Sequence, residues 1–119
     1  MFQTHYGYFI CVPYRTEISH KYAYHFKNSA RSIMHKSGLD YTKIVIIKDT
    51  SFIDTQDALI DKDEYNETMV NLEKIKAEAL AFVEEYVSHI KGEQLLHPKE
   101  FKRRYLFSLL KYFHVEMGV

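Results

Sequence analysis

Tryptophan is absent from this 119-residue chain, and cysteine, glycine and proline are scarce, at one, four and two residues. The single cysteine, Cys11, excludes an internal disulfide framework. Set in an apolar run, it reads as a buried, unreactive thiol in a reducing compartment. The isolated glycines Gly7, Gly38, Gly92 and Gly118 cannot form the glycine-rich loop that cradles nucleoside triphosphates. No run approaches the roughly 18 consecutive apolar residues of a membrane span, and no charged, then apolar, then small-residue leader opens the chain. A cytoplasmic location without a membrane partner is therefore expected. Seven histidines invite a metal, but no Cys pair or His-Glu-x-x-His occurs, so neither metal nor cofactor is expected.

What is present fits one domain, residues 1–119, by the rough prior of about 100–200 residues per domain. An apolar fraction of 46% and a charged fraction of 27% are those of a soluble globular protein. The formal net charge of zero hides a segregation. Residues 1–48 carry seven Lys and Arg against two acids, residues 49–90 three against eleven, and residues 91–119 six against three. Two basic ends around an acidic middle suggest a face for a polyanion. The acidic stretch reads as a solvated helix turned away from that face.

Tyr8-Phe9-Ile10-Cys11-Val12 is a short buried-strand pattern that Pro13 ends. Residues 27–40 are polar, include Gly38 and read as a long, functional loop. Thr42 to Ile47 is the clearest strand, with Ile44, Val45, Ile46 and Ile47 consecutive. Short strand-like pieces follow at Phe52-Ile53 and Ala58-Leu59-Ile60. From Lys62 the period changes: Ile75, Ala79, Phe82, Tyr86 and Ile90 form the stripe of an amphipathic helix that Gly92 stops. Pro98 opens a second helix with the stripe Phe101, Tyr105, Leu109 and Tyr112 or Phe113. Strands before helices imply an α+β fold, with a small antiparallel sheet curled against two C-terminal helices.

The chemistry concentrates just after Pro13. Arg15, Thr16, Ser19, His20, Lys21 and His25 stand among Tyr14, Tyr22, Tyr24 and Phe26. Cations and hydroxyls hold phosphate, and aromatic faces stack bases. Cleavage of RNA without a metal needs one group to take the 2′-hydroxyl proton and another to protonate the leaving 5′-oxygen. It also needs donors to hold the phosphorane between these steps. Arg15, Thr16, His20 and Lys21 supply those types and are the candidate catalytic residues. Tyr14, Ser19, Tyr22, His25, Lys43, Arg103 and Arg104 are the candidate RNA contacts. Each has a blander reading: Thr16 or Ser19 as a turn cap, His25 as a hydrogen-bonded strut, Tyr22 and Tyr24 as core, Arg103 and Arg104 as solvated helix charge.

Three blocks carry a resemblance: the run 13–21 (Pro-Tyr-Arg-Thr-Glu-Ile-Ser-His-Lys), the run 37–47 (Ser-Gly-Leu-Asp-Tyr-Thr-Lys-Ile-Val-Ile-Ile) and the run 105–114 (Tyr-Leu-Phe-Ser-Leu-Leu-Lys-Tyr-Phe-His). In these the chain resembles the toxins of type III toxin–antitoxin systems, the ToxN/TenpN/CptN group of endoribonucleases, which act in phage defence. The resemblance implies a barrel-like sheet with packed helices, sequence-preferring RNA cleavage, and an antitoxin RNA of pseudoknot repeats that joins the toxin in a hetero-oligomer. The hydroxyl and basic groups after the group's proline fall on Arg15 and Thr16, with His20 and Lys21 close behind. The group's usual further N-terminal strand and basic residue have no match ahead of Tyr8. A non-catalytic RNA- or protein-binding module of the same fold is therefore the alternative.

Overall fold

The computed structural model describes residues 1–48 and 61–119. Strand β1 (Phe2–Gln3) pairs antiparallel with β2 (Phe9–Cys11), which pairs with β6 (Val45–Ile47) so that Ile10 faces Ile46. Between β1 and β2 the Thr4 hydroxyl donates to the Tyr8 carbonyl at 2.9 Å and closes the turn. Pro13, which has no amide donor, ends this sheet as the sequence implies. Beyond it β3 (Tyr14–Arg15), β5 (Gly38–Asp40) and β4 (Ala23–His25) form a second antiparallel sheet with β5 in the centre. The fold is α+β with two small sheets, and no closed barrel is found among the described residues.

Among the described residues, five α-helices follow or interrupt the strands. They are α1 (Ala30–His35), α2 (Lys62–Val70), α3 (Leu72–Lys91), α4 (Pro98–Tyr105) and α5 (His114–Met117). The stripe of α3 buries Ile75, Ala79, Phe82, Val83 and Tyr86 in one core with Ile10 and Ile46 of the first sheet, Ile44 just ahead of β6, and Leu39 of the second sheet. Each of these large side chains contributes on the order of 1.5–3 kcal/mol by leaving water.

Three readings of the sequence change. Residues 27–40 are not a loop: Ser29 caps α1 in a reciprocal box with Ser32, and β5 is the middle strand of the second sheet. The helix from Lys62 breaks at Asn71, whose side-chain amide donates to the Glu67 carbonyl at 2.9 Å. The C-terminal stripe is divided, because α4 ends at Tyr105 and a 3₁₀ turn at Leu110–Tyr112 and then α5 follow. More than two helices therefore succeed the sheets. The strand-like pieces at 52–53 and 58–60 lie outside the described residues.

The acidic middle does not simply face water either. Helix α2 has no apolar stripe and docks through two glutamates one turn apart, Glu64 and Glu67, only 1% and 6% exposed. Glu64 accepts from the Ser37 hydroxyl at 2.5 Å, with Arg31 at 3.8 Å. Glu67 accepts from the Tyr24 hydroxyl at 2.9 Å and from the amides of Lys27 and Asn28 at 3.0 and 3.1 Å. Burial and Glu67 together push the Tyr24 phenol up to about 12. Polar groups buried without partners cost about 1–3 kcal/mol each. Replacing Glu67 with alanine orphans three donors, so Glu67→Ala is expected to lower unfolding free energy by about 3 kcal/mol or more. Glu73→Ala, at an exposed position of α3, should change it by about 0.5 kcal/mol or less. Equal losses in urea denaturation would contradict this role for α2.

Candidate functional site

Asp40 ends β5 and is 4% exposed. Its Oδ1 accepts from the Thr42 amide at 3.0 Å and the Thr42 hydroxyl at 2.6 Å, capping the 3₁₀ turn Tyr41–Lys43. His20 Nε2 lies 3.2 Å from the same oxygen, and Arg15 Nε lies 3.8 Å from Oδ2. The topology explains why these groups meet. Arg15 pairs with Gly38 on one side of β5, so Asp40, two residues on, is its diagonal neighbour on the same face. The segment 16–22 joins the outer strands β3 and β4 and carries His20 to the end of β5.

The tautomer of His20 follows from its partners. Its Nδ1 accepts the Tyr22 amide at 3.1 Å, so in the neutral ring the proton sits on Nε2, the nitrogen 3.2 Å from Asp40 Oδ1. His25 donates from Nε2 to the His20 carbonyl at 2.8 Å and fixes the backbone beneath the ring. Glu17, in the same segment, holds φ at +57°, a left-handed conformation that costs a non-glycine residue about 1–3 kcal/mol. Its amide is held by the His35 carbonyl at 2.6 Å.

Around Asp40 lies a cavity of about 200 Å³, lined among others by Arg15, Thr16, Ser19, His20 and Lys43. Lys43 Nζ donates to the Phe107 carbonyl at 2.9 Å, which leaves further N–H groups for an anion. Five residues singled out in the sequence thus share one site. They present two cations, two exposed hydroxyls and an imidazole above a buried carboxylate, a set that can bind a phosphodiester.

The other candidates lie elsewhere. Lys21, Tyr22 and Arg104 line a second pocket of about 250 Å³ together with Tyr41, Glu78 and Phe82. Arg104 is tied to Glu85 and, at 3.0 Å, to Glu100. Burial pulls its guanidinium down, but Glu85 and Glu100 outweigh that and hold it above its ordinary range. Glu85 therefore faces a basic residue instead of turning away, and Glu84 accepts from the Tyr6 hydroxyl at 3.1 Å. Arg103 is exposed and pairs with Glu100 at 3.0 Å. Tyr14 donates from its hydroxyl to Thr68 at 3.2 Å, and its ring lies against Phe26. Cys11 is half-buried, and burial pushes its thiol up, away from the reactive thiolate.

Sequence reasoning missed Asp40 and Thr42. The available signal was Asp40-Tyr41-Thr42 itself, an Asp placed two residues before a hydroxyl at a strand end, where it caps the following turn. Among the described residues no group of three or more His, Cys, Asp or Glu side chains is arranged to hold a metal ion. No described helix is long and apolar enough to cross a membrane. No protein-family model, curated protein or solved structure matches the chain.

The hydrogen bonds of His20 make a direct prediction. In ¹⁵N-labelled protein, at a pH where the ring is neutral, the His20 spectrum should have the signature of a proton on Nε2 and a bare Nδ1. A proton on Nδ1 would show that Asp40 and the Tyr22 amide do not orient the ring.

Proposed function

We propose that the chain is an RNA-binding endoribonuclease that holds a phosphodiester in the Asp40 cavity. The observation that carries this reading is the convergence of Arg15, Thr16, Ser19, His20 and Lys43 on one cavity around a buried carboxylate. In the proposed reaction the ribose 2′-oxygen attacks the adjacent phosphorus and the bond from phosphorus to the 5′-oxygen breaks. The products are a 2′,3′-cyclic phosphate and a 5′-hydroxyl. One proton leaves the 2′-hydroxyl and one reaches the departing oxygen, and imidazole can carry both near neutral pH. Arg15 and Lys43 hold the equatorial oxygens, Thr16 and Ser19 donate to them, and Asp40 positions His20 and Arg15. Lys21 lines the neighbouring pocket, so its part is a contact to an adjacent nucleotide.

The ligand set favours chemistry without a metal. Two-metal nucleases need several carboxylates. Here Asp40 already accepts from Thr42 and has His20 at 3.2 Å, and Glu17 faces His35 at 3.4 Å. The resemblance in residues 13–21, 37–47 and 105–114 extends the proposal to a type III toxin whose partner is an antitoxin RNA of pseudoknot repeats. Tandem short repeats in the DNA just upstream of the reading frame would support that identity.

One observation favours the second reading, a non-catalytic RNA-binding module. Both nitrogens of His20 are engaged, Nδ1 by the Tyr22 amide and Nε2 by Asp40. To take a proton, Nδ1 must leave that amide.

Cleavage assays with EDTA separate the two. The endoribonuclease should cut with EDTA present and leave cyclic phosphate ends, and His20→Ala or Thr16→Ala should lose roughly 100-fold. Arg15→Ala and Lys43→Ala should weaken binding to every RNA and lower the salt slope by about one each. Binding without cutting selects the second reading. Products ending in a 3′-hydroxyl, or cutting abolished by EDTA, refute the mechanism, and failure to bind RNA refutes both readings.

A further inference from the structure

The pocket beside the Asp40 cavity holds a cluster of unused hydrogen-bonding groups. The hydroxyls of Tyr22 and Tyr41, Oε1 of Glu78 and Nε of Arg104 are buried and have no hydrogen-bond partner among the described residues. All four residues line the same space of about 250 Å³. Tyr41 is only 4% exposed, and burial first, then the nearby Glu78, raises its phenol well above the ordinary range. Native interiors leave few such groups unpaired, and each costs about 1–3 kcal/mol. Four in one pocket are the complement of a ligand.

The chemistry of that ligand can be read from the lining. Two cations, Lys21 and Arg104, stand against two carboxylates, Glu78 and Glu85. The balance disfavours a free phosphate and suits a neutral molecule. Tyr22 and the largely buried Phe82 give the pocket an aromatic lining, with Lys21 Nζ 5.5 Å and Arg104 Cζ 5.9 Å from the Tyr22 ring centre. The free oxygen of Glu78 only accepts and Nε of Arg104 only donates, whereas the two phenols can do either. A planar ring with adjacent donors on one edge and adjacent acceptors on the next would use all four. Guanine has this pattern, with N1–H and the 2-amino group beside O6 and N7. The position fits as well. His20 lines the phosphate cavity and Tyr22 lines this pocket, and their rings lie 6.1 Å apart. A base held here would belong to the nucleotide whose phosphate meets Arg15.

We propose that the pocket formed by Tyr22, Tyr41, Glu78 and Arg104 is a guanine-binding subsite. Its place in RNA recognition rests on the RNA-binding reading above, but its affinity for the base does not. The test is NMR titration of the full chain with free nucleosides, which carry no phosphate for the Asp40 cavity. Guanosine should shift the signals of Tyr22, Tyr41 and Glu78 and bind about tenfold or more tighter than adenosine, cytidine or uridine. Glu78→Gln should weaken guanosine about tenfold, the effect of losing one charge-assisted hydrogen bond. Tyr41→Phe, which keeps the ring, should also weaken it, and Glu73→Ala, at an exposed position of α3, should not. Equal binding of all four nucleosides, no binding at all, or full guanosine affinity in both Glu78→Gln and Tyr41→Phe would overturn the subsite. RNA cut without guanosine selectivity defeats the subsite alone. Guanosine bound by a protein that ignores RNA defeats the RNA reading alone.

Discussion

A Cβ atom at residue 38 would collide with the backbone carbonyl oxygen of Tyr24 and crowd Cδ1 of Ile18 at 3.2 Å. Glycine there lets β5 run between β3 and β4, and most of what matters is carried by the residues beside it. Ser37 donates to the buried Glu64 of α2, Leu39 enters the core, and Asp40 takes its place among Arg15, His20 and Thr42. A strand of three residues thus joins a helix, the hydrophobic core and the candidate site. A shift of β5 by one residue would turn Leu39 out of the core and Asp40 away from the cations, because alternate residues face opposite ways.

The uneven distribution of charge along the chain is partly a packing device. Glu64 and Glu67 fasten the acidic α2 to the segment between β4 and β5, and Glu85 fastens α3 to Arg104 of α4. These acids neutralise part of the basic ends and leave Arg15 and Lys43 around Asp40 as cations directed at a cavity. In the proposed reading a polyanion would meet that cavity, with the charge-balanced, aromatic pocket of Glu78 and Tyr22 beside it. One surface would then bind phosphate and its neighbour distinguish bases, the two functions that recognition of single-stranded RNA requires.

Much of the fold was legible where a pattern ran long enough. The stripe of α3 from Ile75 to Tyr86, the apolar run of β2 and the break at Pro13 appear as the spacing implied. The strand read over Thr42–Ile47 is instead confined to Val45–Ile47, because Asp40 caps a 3₁₀ turn at Tyr41–Lys43, and Ile90 is exposed. Two- and three-residue strands such as β3 and β5 are too short for alternation to register, so residues 27–40 read as loop. Helix α2 escaped as a docked element because it packs through carboxylates and carries no apolar stripe. At the site, the cluster of Arg15, Thr16, Ser19 and His20 was visible as composition. Its separation from Lys21 and Tyr22, adjacent in sequence, was not. That separation depends on Asp40, Glu78 and Arg104, which lie about 20 to 90 residues away along the chain and meet the cluster only after folding.

The central claim is that the Asp40 cavity receives a phosphodiester of RNA. The most direct measurement is an amide and side-chain NMR map of the labelled chain with a short RNA carrying 2′-O-methyl riboses, which cannot be cut by 2′-hydroxyl attack. Perturbations centred on Arg15, Thr16, His20 and Lys43 are expected, together with loss of binding in Arg15→Ala. Perturbations confined to other surfaces, with these four residues unmoved at saturation, would contradict the claim.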